Sequence, residues 1–279
     1  MSHSEVRTSA PREAALALFT GSFYGGVHTV VGHPLDTIKS RLQMDPTMRN
    51  ASALDVAKSL WKTDGLRGFF RGCVPPLWGS MVYRGIMYSG YEFSFTFIEK
   101  GFPDDHFLKN ELSPSFPVRP MVVASTVFAA SCRGIIESPI EYAKVMGQMK
   151  QPWVLTHVYR GVLWQLLRTT ALLIPIFSIL DVARRKTDLT KTLPGNFVVM
   201  SGACGVSYLC CWPLETLKNL AQTGIGGNSL AERIKYLGGW RGVYRGVWPG
   251  TIAGSTRNGA GMVAMVFAQK WATDLGLRD

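Results

Sequence analysis

The stretch Pro34-Leu35-Asp36-Thr37-Ile38-Lys39, with Gln43 four residues further on, is the most informative part of the chain because its pattern occurs three times. Each copy has a proline, an acid two residues later, a lysine five residues later and a glutamine nine residues later. The other two copies are Pro139-Ile140-Glu141-Tyr142-Ala143-Lys144 with Gln148, and Pro213-Leu214-Glu215-Thr216-Leu217-Lys218 with Gln222. Three copies of so specific a pattern indicate that one unit was triplicated and that the copies share a task.

The charged residues of these copies lie inside or at the end of apolar stretches, where single charges are costly in a membrane. Hydrophobic residues make up 47% of the chain and its mean hydropathy is +0.10, values that fit membrane and soluble proteins alike. The placement of the charges is more informative, because long apolar stretches broken by single ionisable residues are typical of helices around a wet cavity. We predict six such helices, at roughly 13–43, 75–98, 117–149, 162–186, 195–222 and 249–273.

A second element recurs between the predicted helices, an aromatic residue followed by arginine and glycine. It reads Phe70-Arg71-Gly72, Tyr159-Arg160-Gly161 and Tyr244-Arg245-Gly246. With the threefold Pro-x-(Asp/Glu)-x-x-(Lys/Arg) signature, the chain resembles the mitochondrial carrier family of solute transporters over nearly its whole length. The resemblance implies one all-α membrane domain, a pseudo-threefold bundle of six transmembrane helices with short matrix-side helices. Its three repeats are expected at about 13–98, 117–186 and 195–273.

The family resemblance implies transport of a small solute, without chemistry, by alternating access across the mitochondrial inner membrane. The sequence shows no nucleophile and base pair, metal cluster or nucleotide loop, so we expect neither an enzyme nor a cofactor nor a metal. The five cysteines have no metal-ligand spacing and are interpreted as core residues. Two alternatives stay open: another organelle that hosts this family, and a carrier-like scaffold or receptor that no longer transports.

The segments that follow the three glutamines differ in length. From the glutamine to the arginine of the aromatic-Arg-Gly element there are 28 residues in repeat one (43 to 71), 12 in repeat two (148 to 160) and 23 in repeat three (222 to 245). Repeat one has room for a surface helix over Ala51 to Thr63, ended by Asp64-Gly65, and repeat three for one over Ser229 to Leu237. In repeat two the short segment contains Pro152, so we predict that its matrix-side helix is shortened or lost.

The acid and the lysine of each motif copy are three residues apart, so they share a helix face near the bend that the proline makes. Six buried charges are tolerated only as pairs. The family arrangement implies a matrix gate that closes when three pairs form and opens when they separate: Asp36 with Lys144, Glu141 with Lys218, and Glu215 with Lys39. By the same resemblance, the closed pairs are braced by Gln43, Gln148 and Gln222. A static network that only fixes helix packing is the alternative interpretation.

On the opposite side, family members repeat an aromatic-acid-x-x-basic pattern that is eroded here. Glu92 is followed by Phe95 where a basic residue is expected, Asp181 is followed by Arg184, and the last predicted helix offers only Lys270. At most two pairs form in this interpretation, Glu92 with Arg184 and Asp181 with Lys270. We therefore predict a weak cytosolic gate and a resting state open to the intermembrane space.

Family members contact their solute on the even-numbered helices, eight residues after the basic residue of the aromatic-basic-Gly element. The resemblance therefore implies contacts at Gly79, at Arg168 with Thr169, and at Ala253. The Arg168-Thr169 pair resembles that of carboxylate and keto-acid carriers. From helical spacing we add three further candidates that share faces with the gate lysines or with Ala253: His28, Arg133 and Arg257.

Arginines on several helices of one cavity indicate an anionic solute, because the guanidinium fork matches carboxylate and phosphate. Arg84 lies about 140° around the helix from Gly79, and we expect it to pair with a neighbouring helix. The sequence around Pro34 instead resembles acylcarnitine and basic amino-acid carriers, whose cationic solutes need acids that we do not find mid-cavity outside the gate. We therefore favour a small anion of the carboxylate or keto-acid class, with the acylcarnitine or amino-acid type as the alternative.

The formal net charge of +11 is assigned mainly to loops that face lipid headgroups. Exposed N–H groups, a positive helix end and an arginine make phosphate sites at the aromatic-Arg-Gly elements, which resemble the cardiolipin sites of this family. The residues of these sites are Arg71, Gly72, Arg160, Gly161, Arg245 and Gly246. No recognisable nucleic-acid motif accompanies the charge. We expect a monomer whose partners are its solute and membrane lipid.

Overall fold

The computed structural model describes residues 9–44, 53–149, 159, 162–223, 229–244 and 247–275. Within these ranges the chain is helical apart from turns and loops, one short 3-10 helix at Leu189–Lys191 and an isolated β-bridge between Ser113 and Phe116. The α-helices are α1 (Ala10–Met44), α2 (Ala53–Phe69), α3 (Val74–Gly101), α4 (Pro120–Met149), α5 (Val162–Lys186), α6 (Leu193–Thr223), α7 (Leu230–Tyr236), α8 (Trp240–Val243) and α9 (Val247–Asp274).

The six long helices form a closed ring. In contact order the ring runs α1, α3, α4, α5, α6, α9 and back to α1, so that contacts within a repeat alternate with contacts between repeats. The bounds of these helices confirm the six predicted ones to within a few residues. Four of them contain segments long and apolar enough to cross a membrane, at Ala10–Ile38, Pro120–Pro139, Gln165–Lys186 and Leu193–Leu214. The chain is therefore an all-α membrane protein of the predicted class, and α3 and α9 complete its ring.

The motif prolines lie inside the three helices that carry the motif: Pro34 in α1, Pro139 in α4 and Pro213 in α6. The helix continues past each of them. Because proline lacks an N–H and its ring crowds the preceding turn, each helix is weakened at that level. The three prolines therefore mark where these helices bend most easily.

Helices α1 and α3 pack closely at two glycines. A Cβ on Gly25 would lie 2.4 Å from the carbonyl oxygen of Ser80, and a Cβ on Gly85 would lie 2.6 Å from the hydroxyl oxygen of Ser22. The Ser80 hydroxyl in turn donates to the Gly25 carbonyl at 3.0 Å. Any larger residue at these glycines would separate the backbones, so the distance between α1 and α3 is fixed by sequence.

A buried aromatic cluster joins α1, α3 and α5. Tyr91 stacks on Phe177 with ring centroids 4.2 Å apart, and Tyr24 contacts Tyr88 with centroids 5.1 Å apart. None of these four residues is more than 6% exposed. Aromatic pairs of this kind contribute about 0.5–1.5 kcal/mol each beyond the burial of their surface. The cluster therefore makes one side of the interior closely packed, next to the predicted site residues.

Two of the three matrix-side segments are helical, as predicted. Helix α2 starts at Ala53 and is interrupted at Gly65, whose φ of 59° is a left-handed conformation that glycine adopts without strain. Helix α7 follows Ser229, whose side chain forms a reciprocal capping box with Glu232. Residues 150–158 of repeat two lie outside the described ranges, so the shortened helix of that repeat stays a prediction.

Candidate functional site

Arg133 is predicted to contact solute, and the structure places it in an ion pair with Glu137 on the same helix. Its Nε donates to Glu137 Oε2 at 2.9 Å and its terminal NH2 donates to Oε1 at 2.8 Å. Gln165 of α5 donates to Oε2 at 3.1 Å. Glu137 is only 4% exposed, and the Arg133 guanidinium lies 4.9 Å from the centre of the Tyr83 ring. The charge of Arg133 is therefore largely compensated inside the bundle.

Glu137 corrects the expectation that the interior has no acid outside the gate. Sequence reasoning missed Glu137 because the motif assigns the acidic role in this helix to Glu141, four residues later. A signal was present, since Arg133 and Glu137 stand four residues apart, the spacing of an ion pair on one helix face. Arg168 also acts electrostatically on Glu137. One predicted solute contact, Arg133, is thus bonded to this buried carboxylate, and a second, Arg168, lies near enough to influence it.

Arg257 of α9 binds the acid of the first motif copy. Its NH1 lies 3.1 Å from both carboxylate oxygens of Asp36 on α1. The Arg257 side chain lies directly against Gly32, where a Cβ would be 2.1 Å from Arg257 Cδ. A larger residue at position 32 would therefore displace this side chain. The predicted partner of Asp36 was Lys144, whose side chain is not described; the observed partner is itself a predicted solute contact. The acid of the first predicted gate pair is therefore bonded to a predicted solute contact.

The other predicted contacts lie on three helices of the ring. On α5, Thr169 is 2% exposed and Arg168 beside it is half-buried. Gly79 of α3 and Ala253 of α9 are half-buried. The Ala253 carbonyl oxygen accepts a hydrogen bond from Arg257 Nε at 3.3 Å, which places these two residues in one group.

His28 and Arg84 connect α1 with α3. The terminal NH2 of Arg84 lies 2.8 Å from His28 Nε2, and the guanidinium lies 5.0 Å from the centre of the Tyr24 ring. Arg84 thus contacts a neighbouring helix, as expected. The charges of Arg84, Arg257 and Arg133 all act on the His28 ring. Arginines from α3, α9 and α4 therefore surround one region of the interior.

Most of the predicted matrix gate falls on side chains outside the described part of the chain. Of the six motif charges, Asp36 alone is described to the end of its side chain. The side chains outside the description are those of Lys39, Glu141, Lys144, Glu215 and Lys218, and of the three bracing glutamines Gln43, Gln148 and Gln222. The closing of the gate by these pairs stays a prediction.

The predicted lipid contacts are described in repeat one. Arg71 and Gly72 are exposed in the turn before α3, and Gly72 has a φ of 78°. The Arg71 carbonyl oxygen lies 3.3 Å from the Nε2 of His33. The equivalent residues Arg160, Gly161, Arg245 and Gly246 lie outside the described ranges. Lipid binding at all three places stays a prediction.

Two threonines that sequence reasoning missed tie the motif to the segment that precedes the next ring helix. Thr37 Oγ1 donates to the Phe69 carbonyl at 2.8 Å, and Thr216 Oγ1 donates to the Val243 carbonyl at 3.0 Å. Each threonine stands three residues after a motif proline, and each acceptor directly precedes the aromatic-Arg-Gly element. We call these two bonds the threonine ties. Their signal was the threonine shared by the first and third copies, where the second has Tyr142.

Replacing Thr37 or Thr216 with valine is expected to lower the free energy of unfolding by about 0.5–1.5 kcal/mol, the net value of one hydrogen bond. Valine keeps the shape of the side chain and removes only the donor. Thermal unfolding of the purified protein measures the effect. The matched control is Thr256→Val, whose hydroxyl bonds one turn back along its own helix, to the Ile252 carbonyl at 2.9 Å. Equal losses in all three variants would show that the ties add nothing specific.

At the other end of the bundle, Asp181 bonds to two arginines. Arg119 donates from Nε to Oδ2 at 3.1 Å and from NH2 to Oδ1, and Arg185 donates from Nε to Oδ2 at 3.0 Å. The predicted pair of Asp181 with Lys270 is therefore wrong. The reason is the order of the ring: α5 lies between α4 and α6, whereas Lys270 belongs to α9, and Arg119 directly precedes α4.

Arg185 extends this cluster to the segment 102–119, which connects α3 with α4. It bonds to Glu111 and donates to the Pro117 carbonyl at 2.6 Å, while Lys186 donates to Glu111 at 3.1 Å. The hydrogen bonds from Arg185 and Lys186 lower the pKa of the Glu111 carboxyl. The connecting segment is therefore fastened to the end of α5.

The second predicted cytosolic pair consists of Glu92 on α3 and Arg184 on α5. Glu92 is 3% exposed and Arg184 is half-buried, positions that suit an interior contact. Their pairing stays a prediction, as does the weak cytosolic gate. The groups gathered in the interior are binding groups, guanidiniums, carboxylates and hydroxyls. Among the described residues no three His, Cys, Asp or Glu side chains form a group that can hold a metal ion.

Comparison with known proteins gives consistent similarities. The family profile described as mitochondrial carrier protein matches residues 11–101. A mitochondrial arginine transporter of Arabidopsis thaliana is 23% identical over 90% of this chain and 92% of its own length. A mitochondrial magnesium exporter of Drosophila melanogaster is 22% identical over 89% and 92%, and a mitochondrial citrate transporter of Aspergillus niger is 25% identical over 88% and 88%. By their names these relatives move different solutes, so similarity alone does not select a solute class.

Proposed function

This chain belongs to the mitochondrial carrier family, and from that premise we propose that it moves a small carboxylate anion across the mitochondrial inner membrane by alternating access. The relatives that match about nine-tenths of the chain are mitochondrial transporters by name, which supports transport in a mitochondrial membrane. The anionic solute, the inner membrane, the cardiolipin contacts and the monomeric state are parts of the proposal.

The observation that carries the anionic class is the balance of charge inside the ring. Among the described residues, and apart from buried Glu13 and the predicted cytosolic gate, four arginines, one each on α3, α4, α5 and α9, accompany two carboxylates there. The arginines are Arg84, Arg133, Arg168 and Arg257, and the carboxylates are those of Glu137 and Asp36. Unbalanced positive charge in a membrane interior is costly, and an anion that enters the cavity relieves that cost.

The contact of Arg257 with Asp36 supports alternating access. The Asp36 side chain is 55% exposed and that of Arg257 is 23% exposed, so water weakens their attraction and the pair separates at little cost. An anion that binds Arg257 releases Asp36, which then becomes available to the predicted partner Lys144. Solute binding in this way changes the pairing of a gate residue, which is the differential interaction that a change of state requires.

A second candidate, a carrier of the amino-acid type, is favoured by one observation. Glu137 is a buried acid beside predicted solute contacts, and an acid at such a place can accept an ammonium group when Arg133 turns away. An amino acid has a carboxylate for the arginines and an ammonium for Glu137. The two candidates differ in whether an ammonium group on the solute helps or hinders uptake.

Uptake by liposomes that contain cardiolipin and the purified protein tests the proposal. We expect saturable uptake of at least one labelled carboxylate, and we expect Arg257→Gln to reduce it about tenfold or more, because a hydrogen-bonded charge contact is lost. The stability of this variant should change little, since its ion pair is exposed. Arg67→Gln on α2, an exposed arginine outside the ring of six long helices, is the matched control and should leave uptake unchanged.

Three results would contradict the proposal in different ways. Uptake of cations such as carnitine esters, without any carboxylate, would exclude the anionic class and leave the fold intact. Faster uptake of amino acids than of the matching hydroxy acids would favour the second candidate. No uptake of any solute by folded protein would support a carrier-like scaffold or receptor.

A further inference from the structure

Arg84 differs from the other interior arginines in its partners. It is 9% exposed, and within the described part of the chain it has no carboxylate partner. Its hydrogen bond goes to the His28 ring at 2.8 Å, and its Nε is buried without a hydrogen-bond partner among the described residues. A guanidinium has five N–H donors, so most of the donors of Arg84 have no partner among the described residues.

Arg133 and Arg257 each have a carboxylate partner, which Arg84 lacks among the described residues. The fork of Arg133 is taken by Glu137 at 2.8 and 2.9 Å, and Arg257 bonds to both oxygens of Asp36. Arg84 faces the Tyr24 ring at 5.0 Å instead. A ring face attracts a cation but donates no lone pair to its N–H groups. A buried charge without an opposite charge is among the most unfavourable arrangements in a membrane protein.

His28 holds Arg84 in place through this contact. Since Arg84 can only donate, the Nε2 of His28 must accept, and the ring proton then belongs on Nδ1. The two ring nitrogens point in different directions, so the Nδ1–H faces away from the guanidinium. His28 therefore positions Arg84 and leaves the other N–H groups of the guanidinium for a ligand.

We propose that Arg84, held in place by His28, is the binding site for a single carboxylate group of the transported solute. The proposal rests on the proposed function and adds a specific anchor to it, on a different face of α3 from the predicted contact at Gly79. A carboxylate carries one negative charge and two oxygens, which match one guanidinium edge. A phosphate dianion would need a second cation, which it would obtain only by displacing Glu137 from Arg133 or Asp36 from Arg257.

The test is ligand-dependent thermal unfolding of the purified full chain in detergent, with acetate, pyruvate, succinate, inorganic phosphate and neutral acetamide as probes. For the wild type we expect a saturable rise in unfolding temperature with acetate or pyruvate, a smaller one with phosphate, and none with acetamide. Arg84→Gln should raise the half-saturating concentration at least about tenfold, the effect of losing a charged hydrogen bond. Arg84→Lys should raise it less, because the positive charge stays and only the forked geometry of the guanidinium is lost.

The unfolding temperature without ligand separates a binding role from a packing role. If Arg84 binds solute, Arg84→Gln without ligand should unfold at the wild-type temperature or above it, since an uncompensated charge is removed. If Arg84 only packs α3 against Tyr24, the same variant should unfold earlier and keep the wild-type response to acetate. The control Arg67→Gln should match the wild type in both measurements.

Each of the remaining results overturns the Arg84 site, the carboxylate class or the proposed function. An unchanged response of Arg84→Gln to carboxylates that stabilise the wild type overturns the Arg84 site and leaves the proposed function standing. If Arg84→Gln does not fold, an unchanged affinity in Arg84→Lys overturns the fork contact. A stronger response to phosphate than to acetate overturns the carboxylate class. A wild type that responds to no anion overturns the proposed function and this site with it.

Discussion

Replacing Glu137 with leucine is expected to lower the free energy of unfolding by about 3–5 kcal/mol, the cost of removing one partner of a buried ion pair. The Arg133 fork and Gln165 then lose the carboxylate to which both donate. The low exposure of Glu137, 4%, means that water does not replace these bonds. Thermal unfolding of the purified protein, extrapolated to one temperature, measures the loss.

A double variant shows whether the loss comes from the unpaired charge. Arg133→Met combined with Glu137→Leu replaces the pair by apolar side chains and should recover most of the stability, because a well-packed apolar pair is often as stable as a buried ion pair. The control is Asp104→Leu, which removes the fully exposed partner of Lys109 and should change the unfolding temperature little. A single variant as stable as this control would contradict the buried pair.

Asp181→Ala is expected to have an effect of similar size, about 3–5 kcal/mol, because one substitution removes the carboxylate that binds both Arg119 and Arg185. The two arginine side chains are 12% and 16% exposed, so their charges stay largely buried. The segment 102–119 should also become easier to cleave, since Arg185 fastens it to α5. Thermal unfolding gives the first effect, and limited proteolysis followed by mass spectrometry gives the second.

The matched control for Asp181 lies close to it in the chain. Asp188→Ala removes an ion pair with Lys191 whose side chains are 86% and 75% exposed, so it should alter neither unfolding nor cleavage. If Asp181→Ala behaves like Asp188→Ala, the cluster at this end of α5 does not stabilise the bundle.

The helices could be predicted from the sequence, whereas the partners of the charges could not. Apolar stretches and the repeated motif locate six helices because both depend on residues close together in the chain. Ion pairs depend on which helices are neighbours in the ring. Lys270 was assigned to Asp181 by analogy between repeats, but the ring places Arg119 next to Asp181 instead.

The interior shows the same limit at closer range. Arg133, Arg168 and Arg257 were identified as interior cations, but Glu137 was passed over, and with it the neutralisation of Arg133. The repeated pattern marks only its own acids, and Glu137 stands outside it. The contact of Arg257 with Asp36 joins residues 221 positions apart in sequence, and no local spacing predicts it.

The threonine ties make the bundle mechanically unequal in its three parts. In repeats one and three, a hydroxyl on the helix that carries the motif bonds to the segment ahead of the next helix, so the positions of the two are coupled by one hydrogen bond. Repeat two has Tyr142 at this position and no hydroxyl on its Cβ. The three repeats, although built on one sequence pattern, therefore differ in one of the side chains available to fasten a motif helix to the segment that follows it.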